Sequence, residues 1–307
     1  MRVQTWSVGE FTITKVVELS VEVGLLDGLI AEATPEVVKS VGWLCPDFAI
    51  EDGRTLWDVN SFVVDTGDAV VMVDAGCGNG KSFPMQPVWD TLDTPFLEGL
   101  AGAGYRPEDV DVVLLTHLHL DHVGWCATRD AAGRWVPTFP NAEVWVVREE
   151  YEAFRDPAEV EWVDSAALQA QRELMYQQSI RPVEEAGLLR IVPADAPVAP
   201  GIRLYATPGH TEGHHSVLVE SDGASAFVTG DFIHHPIQIA FPDWSSRVDV
   251  DPAESATRRR ALFEWCAGTD LVLLGTHFSG PGGGRVVQDG EGYRLVPVGA
   301  SHLDADS

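Results

Sequence analysis

Short apolar runs, each closed by Gly, Pro or Asp, recur along the chain at residues 69–73, 110–115, 142–147, 202–206, 226–228 and 271–274. Their length and β-branched content predict strands. Between them the pattern changes to helical spacing. Asp251, Pro252 and Glu254 supply an N-cap, a first-turn proline and a capping-box acid, so a helix is predicted from there to Gly268. Residues 160–181 form a second helical stretch, with Trp162, Leu168, Leu174 and Met175 placed for the core or a pocket wall. Strands alternating with helices predict an α/β fold. No linker or fixed-period repeat divides the chain, so a single domain is expected over 1–302, followed by an acidic tail at 303–307.

Composition narrows the partners. With 307 residues and 45% hydrophobic content, the chain can bury a full core. Against 47 acidic side chains stand 20 basic ones, a net charge of −27 that repels nucleic acid and anionic membrane surfaces. Neither is an expected partner. The Arg258-Arg259-Arg260 run is expected on a solvated face, paired with that acidic surface. The first residues carry scattered charges and lack an apolar stretch of about 7–15 residues, so a cytoplasmic location is expected. Four widely spaced cysteines without a CxxC pair fit reduced thiols.

The ten histidines are unevenly spread. The run 110–115 leads directly into Thr116-His117-Leu118-His119-Leu120-Asp121-His122-Val123-Gly124, which packs three imidazoles and a carboxylate behind an apolar strand. These are donors suited to zinc and related divalent ions. In an extended turn His117 and His119 project to one side while the adjacent Asp121 and His122 diverge, which suits two neighbouring metals better than one. Other predicted strands end at His210, Asp231 and His277, and strand ends commonly converge on one rim in α/β folds. Five His and two Asp are then available. His302 and the His214-His215 pair are more ordinary hydrogen-bonding or surface histidines, and His234 and His235 stand between pocket lining and ligand support.

Together these motifs resemble the metallo-β-lactamase-fold superfamily, from Val73-Asp74-Ala75-Gly76 through His277. The resemblance implies a four-layer αββα sandwich with a dinuclear metal site on one edge. It assigns His117, His119 and His210 to the first metal, Asp121, His122 and His277 to the second, and Asp231 to the bridge, with Asp74 as a hydrogen-bonding support. The cofactors implied are two divalent ions, zinc foremost, with manganese, cobalt or iron as alternatives. A homodimer is implied by the family alone, as is a pocket-shaping or dimer-contact role for residues of about 20–60.

Branches of the superfamily differ at identifiable positions. Flavodiiron oxidoreductases carry Glu where this chain has His119, and the best-known zinc β-lactamases carry Cys where Asp231 stands. Quorum-quenching lactonases share all seven ligands but place Tyr where this chain has His234. The segments 230–238, 277–282 and 292–298 look most like the methyl parathion hydrolase branch, although Trp125 replaces a usual Gly. The resemblance therefore implies a hydrolase of a neutral carboxylic ester or lactone, with phosphotriesters as side substrates and a metal-bridging hydroxide as nucleophile. Asp121 and Asp231 are the expected catalytic carboxylates, Asp121 also passing a proton to the leaving group. Trp57, Trp125, Trp162, Phe232, His234 and Trp244 are candidate pocket residues, the aromatics otherwise being ordinary core. Asp74, Thr116 and His215 are candidate supports for the imidazoles. A glyoxalase-II-like thioesterase, a β-lactamase-like hydrolase and a non-catalytic metal-binding protein are the alternatives. Scarce basic residues count against the first, whose substrates are anionic.

Overall fold

Two β-sheets pack face to face in the computed structural model, which describes residues 3–155, 166–298 and 301–303. The first contains β1 (Val3–Val8), β2 (Phe11–Ser20), β3 (Asp58–Asp65), β4 (Val70–Val73), β5 (Val112–Leu114), β8 (Glu143–Val147), β9 (Leu189–Val192) and β17 (Ser301–Leu303), in the order β17-β1-β2-β3-β4-β5-β8-β9. The second contains β10 (Pro197–Ala199), β11 (Ile202–Ala206), β12 (His215–Ser221), β13 (Ala224–Val228), β14 (Val272–Leu274), β15 (Gly283–Asp289) and β16 (Gly292–Pro297), paired in chain order. A hairpin of β6 (Ala127–Arg129) and β7 (Trp135–Pro137) stands apart from both.

Alternation along the strands explains the layering. Val64, Val73, Leu114, Val219, Val228 and Leu274 meet between the sheets. Their neighbours Val63, Met72 and Val113 face outward onto Phe96 and Leu100 of α2 (Phe96–Gly102) and Val183 of α6 (Arg181–Glu185). On the other side Leu218, Phe227 and Leu273 face Leu262, Phe263 and Cys266 of α8 (Pro252–Ala267). Successive side chains point to opposite faces, so strands apolar at every position must be covered on both. The result is the expected αββα sandwich.

The helix at 251–268 forms as α8, with the Asp251 side chain accepting from the Glu254 amide at 3.0 Å. Its arginine run divides. Arg258 and Arg260 pair with Glu254 and Asp243 at the surface, as expected. Arg259 is fully buried, because its position in the helical period points inward, and it donates to the carbonyls of Phe232, Pro242 and Trp244. The second helical stretch forms throughout its described part: α5 (Ala166–Met175) continues through a wider, π-helical turn at Tyr176–Ile180 into α6. Met175 is buried while the adjacent Leu174 is exposed, since consecutive helical residues lie about 100° apart. Trp162 and the side chain of Leu168 lie outside the described residues.

Residues 21–57 carry α1 (Pro35–Ser40) and bury Val21, Ile30, Val38, Leu44, Phe48 and Trp57 in the core beneath α8. That burial leaves no strong periodic signal because much of the segment is turn. At the other end β17 pairs with the edge strand β1, Val3 opposite Leu303, and residues 304–307 lie outside the described residues.

The loops after β4 and β5 are locked together by backbone. Gly124 donates to the Gly76 carbonyl and Trp125 to that of Ala75, each at 2.6 Å. A Cβ on Gly124 would fall 1.7 Å from the Cys77 carbonyl oxygen. Gly124→Ala is therefore expected to destabilise the fold by ~1–3 kcal/mol through forced backbone displacement. Urea denaturation reads this directly, and an unchanged midpoint would contradict the close approach.

Candidate metal centre

β4 and β5 run parallel, as do β13 and β14, and β11 shares the direction of β13 through two antiparallel steps. The loops following these strands therefore emerge at one edge of the sandwich. They carry Asp74, His117 to His122, His210, Asp231 and His277. Asp121 and His122 sit on the single turn α3 (Leu120–Val123), and instead of diverging from each other as expected they meet in one group, because the helical turn brings Asp121 Oδ1 to 3.8 Å from His122 Nε2.

Three groups form there, the third made by His210 with His234 and Asp249 and the other two as follows. Donor atoms of His117, His119, His210 and Asp231 lie within 4.8 Å of one another, as do those of Asp121, His122 and His277. Asp231 stands between them. Its Oδ1 lies 3.0 Å from His277 Nε2 and 3.1 Å from His122 Nε2. Its Oδ2 lies 3.4 Å from His234 Nε2, 3.5 Å from His210 Nε2 and 3.8 Å from His117 Nε2. Asp121 reaches His277 Nε2 at 3.6 Å and His122 Nε2 at 3.8 Å.

The opposite ring nitrogens are anchored. His117 Nδ1 meets Thr116 Oγ1 at 3.0 Å, and the Thr116 hydroxyl and amide both donate to Asp74. His122 Nδ1 meets Asp74 Oδ2 at 2.9 Å, His210 Nδ1 meets Asp249 Oδ1 at 3.0 Å, and His277 Nδ1 meets the Asp58 carbonyl at 2.9 Å. Each contact turns Nε2 toward Asp231. Asp74 holds a left-handed backbone, φ 59°, so its carboxylate can serve Thr116 and His122 together.

Burial and neighbouring charge divide the histidines. Burial, then the imidazoles of His122 and His119, holds His117 well below the ordinary histidine range, and burial and His210 do the same to His119. For His122 burial opposes protonation, but Asp231, Asp74 and Asp121 push it well above that range. Burial also works against a charged Asp231, yet His122, His277 and His234 hold its carboxyl well below the usual carboxylate range.

A bound cation would relieve this crowding. His117 Nε2, His122 Nε2 and Asp231 Oδ1 are buried without a hydrogen-bond partner. Orphaned buried acceptors are costly, and imidazole nitrogens gathered with carboxylates are a donor set for divalent metal. The residues present fit such ions.

The proposed supports separate. Thr116 and Asp74 contact the His117 and His122 rings, whereas His215 binds the Gly213 carbonyl through Nδ1 and its Nε2 has no partner. His215 begins β12, and its ring is held by that backbone carbonyl. Its neighbour His214 takes the supporting place: Nδ1 meets Thr207 Oγ1 at 2.9 Å and Nε2 accepts from the Asp231 amide at 3.0 Å. Gly230 permits this approach, since a Cβ there would lie 2.5 Å from His214 Nε2. Sequence reasoning also missed Asp249 and Glu150. Glu150 joins two loops by accepting from the Leu118 amide and the Thr211 hydroxyl. A paired histidine at a strand start was the available signal for His214; nothing local distinguishes Asp249 or Glu150 from other acids.

Most candidate pocket aromatics belong to the core. Trp125 stacks on Phe96 at 5.3 Å and donates to Glu18, beneath the metal-facing loop. Phe232 is fully buried because the tight turn that presents Asp231 sends the next side chain inward. Trp57 packs on His235 and donates to Thr55, and Trp244 stacks on Phe241. His235 itself bonds the Phe48 carbonyl. Among the described residues of this group His234 faces the cluster, 4.8 Å from the His210 ring, and both its ring nitrogens are without hydrogen-bond partners.

The chain belongs to the metallo-beta-lactamase superfamily, whose family model matches residues 54–275. It is similar to an N-acyl homoserine lactonase of Bacillus cereus, 31% identical over 176 residues that make up 52% of this chain and 58% of the lactonase. The match thus spans little more than half of that relative's own length. Two solved structures share the fold over almost the entire chain. One is the hydrolase AbOPH of the beta lactamase superfamily, with 25% identity, TM-score 0.79 and coverage of 97% of this chain and 98% of that one. The other is AidC, a dizinc quorum-quenching lactonase in complex with a product, with 19% identity, TM-score 0.77 and 97% coverage of each chain. The two His/Asp groups that meet at the sheet edge of this chain are of the kind that can hold divalent ions. Among the described residues no helix is long and apolar enough to cross a membrane.

Asp249→Ala removes the carboxylate that orients His210 and leaves the two groups that meet at Asp231 in place. We expect metal affinity to fall about 10–100-fold, the usual effect of losing such a support. Competition with a chelator measures this, and unchanged affinity would show that His210 is oriented by other means.

Proposed function

We propose that the protein hydrolyses a neutral carboxylic ester or lactone at a two-cation centre, with phosphotriesters as side substrates. The observation that carries this reading is Asp231, whose two oxygens face two different donor groups. In it His117, His119 and His210 would hold one ion and Asp121, His122 and His277 the other, with Asp231 shared between them. Zinc is the first choice, given these donors. When bound, such ions supply Lewis acidity and hydroxide at neutral pH, so no serine or cysteine nucleophile is needed.

The chain's own residues supply orientation and proton handling. The anchored Nδ1 atoms of His117, His122, His210 and His277 keep their Nε2 atoms aimed inward before substrate arrives. Such pre-orientation removes reorganisation from the reaction. Asp121, the more solvent-accessible carboxylate, is placed to hand a proton to the leaving alkoxide. His234, buried and unpartnered, is placed to donate a hydrogen bond to a substrate oxygen. The net charge of −27 favours a neutral substrate over an anionic thioester adduct. Similarity to N-acyl homoserine lactonases supports the lactone class.

A panel of lactones, aryl esters, phosphotriesters, thioesters and a β-lactam tests the proposal with zinc-, cobalt- or manganese-reconstituted protein. Lactones or aryl esters should be turned over fastest. Chelation and Asp231→Ala should each reduce the rate by at least about a hundredfold. Turnover that survives both treatments, or a clear preference for thioesters, would falsify this reading.

A further inference from the structure

Lys15 is an anomaly that hydrolysis leaves unexplained. It lies mid-strand in β2 with its side chain 1% exposed, and burying an ammonium is costly unless its partners compensate. An apolar residue would suit that position if packing were its whole role.

Its partners enclose the loop that carries His277. Lys15 Nζ donates to Asp58 Oδ2 at 3.3 Å and to the Phe278 carbonyl at 3.0 Å. The Ser20 hydroxyl donates to the other Asp58 oxygen at 2.7 Å. Asp58 in turn grips His277 through its backbone, its amide donating to the His277 carbonyl at 3.2 Å and its carbonyl receiving His277 Nδ1 at 2.9 Å. The circuit Lys15, Asp58, His277, Phe278 thus closes on itself. Asn60, two residues along β3, donates to the same Phe278 carbonyl at 3.1 Å, while its own Oδ1 has no partner. Only the donor end of that amide is used. The turn after His277 also wraps the lysine, since a Cβ on Gly282 would lie 2.7 Å from Lys15 Cδ.

None of these contacts reaches the other donor group, whose rings rest on Thr116 and Asp249. We infer that Lys15, Asp58 and Asn60 are positioning residues for His277, and that they set the affinity of one half of the site, the second cation, independently of the first. The inference rests on the two-cation reading above. A charged, multiply bonded clamp fits this task because a single-ring ligand on a loop needs its direction fixed, and losing such a support weakens metal binding about 10–100-fold.

The test titrates metal-free wild type, Lys15→Met and Asn60→Leu with Zn²⁺ against a chromophoric chelator, resolving two dissociation constants. In Lys15→Met one constant should stay within about twofold of wild type while the other, that of the second cation, rises about 10–100-fold. Asn60→Leu, which removes no charge, should shift the second constant in the same direction and decides the matter if Lys15→Met does not fold. Second constants unchanged in the folded variants, or both constants rising together, would overturn the inference. Wild type that takes up a single equivalent would instead overturn the two-cation reading itself.

Discussion

An imidazole has two nitrogens on one rigid ring, so fixing one fixes the direction of the other, and the site depends on that constraint. Thr116, Asp74, Asp249 and the Asp58 carbonyl each hold an Nδ1, and four Nε2 atoms consequently face Asp231. His119 departs from the pattern, its Nδ1 lying 2.9 Å from His210 Nε2. The arrangement is costly by itself. Asp231 is buried among imidazoles, and donor nitrogens stand without partners. Such groups are retained where a cation satisfies them and makes them useful.

The fold serves the same constraint at a larger scale. The two sheets bring the strand ends before Asp74, His117, His210, Asp231 and His277 to one edge, and apolar strands buried on both faces keep those ends from drifting. Rigid strands then fix the loop roots, and the loops themselves are tied to one another. Glu150 joins the His117–His119 loop to the Thr211 loop, His214 supports the turn of Asp231, and Arg259 tethers the Phe232 carbonyl beside it. Loops so braced can hold metal-binding groups to the tolerance that hydrolysis requires.

The sequence carried the metal-facing groups more clearly than their supports, for a physical reason. Three imidazoles and a carboxylate packed behind an apolar strand violate the ordinary apolar pattern, so they stand out locally. Asp74 and Thr116 were legible because they adjoin strand ends in recognisable runs. Asp249 and Glu150 were not, since each acts across a long sequence separation. Arg259 shows the same limit: within Arg258-Arg259-Arg260 the helical period decides which arginine is buried, but only the packed neighbours show that one points inward. The aromatics near the motif illustrate the converse error. Trp125 and Phe232 adjoin metal-facing residues in sequence and so lie on the opposite side of a tight turn, in the core. The strands named from apolar runs formed within a residue or two of their expected ends, while β2 and β3 went unnamed because Lys15, Glu18, Asn60 and Ser61 interrupt their apolar pattern.

Whether the two oxygens of Asp231 face two cations or one decides between a dinuclear hydrolase and a simpler metal site. Anomalous diffraction at the zinc edge from crystals of the zinc-loaded protein tests this most directly. Two peaks are expected to flank the Asp231 carboxylate, one beside His117, His119 and His210 and one beside Asp121, His122 and His277. A single peak, or zinc bound away from Asp231, would contradict the two-cation centre.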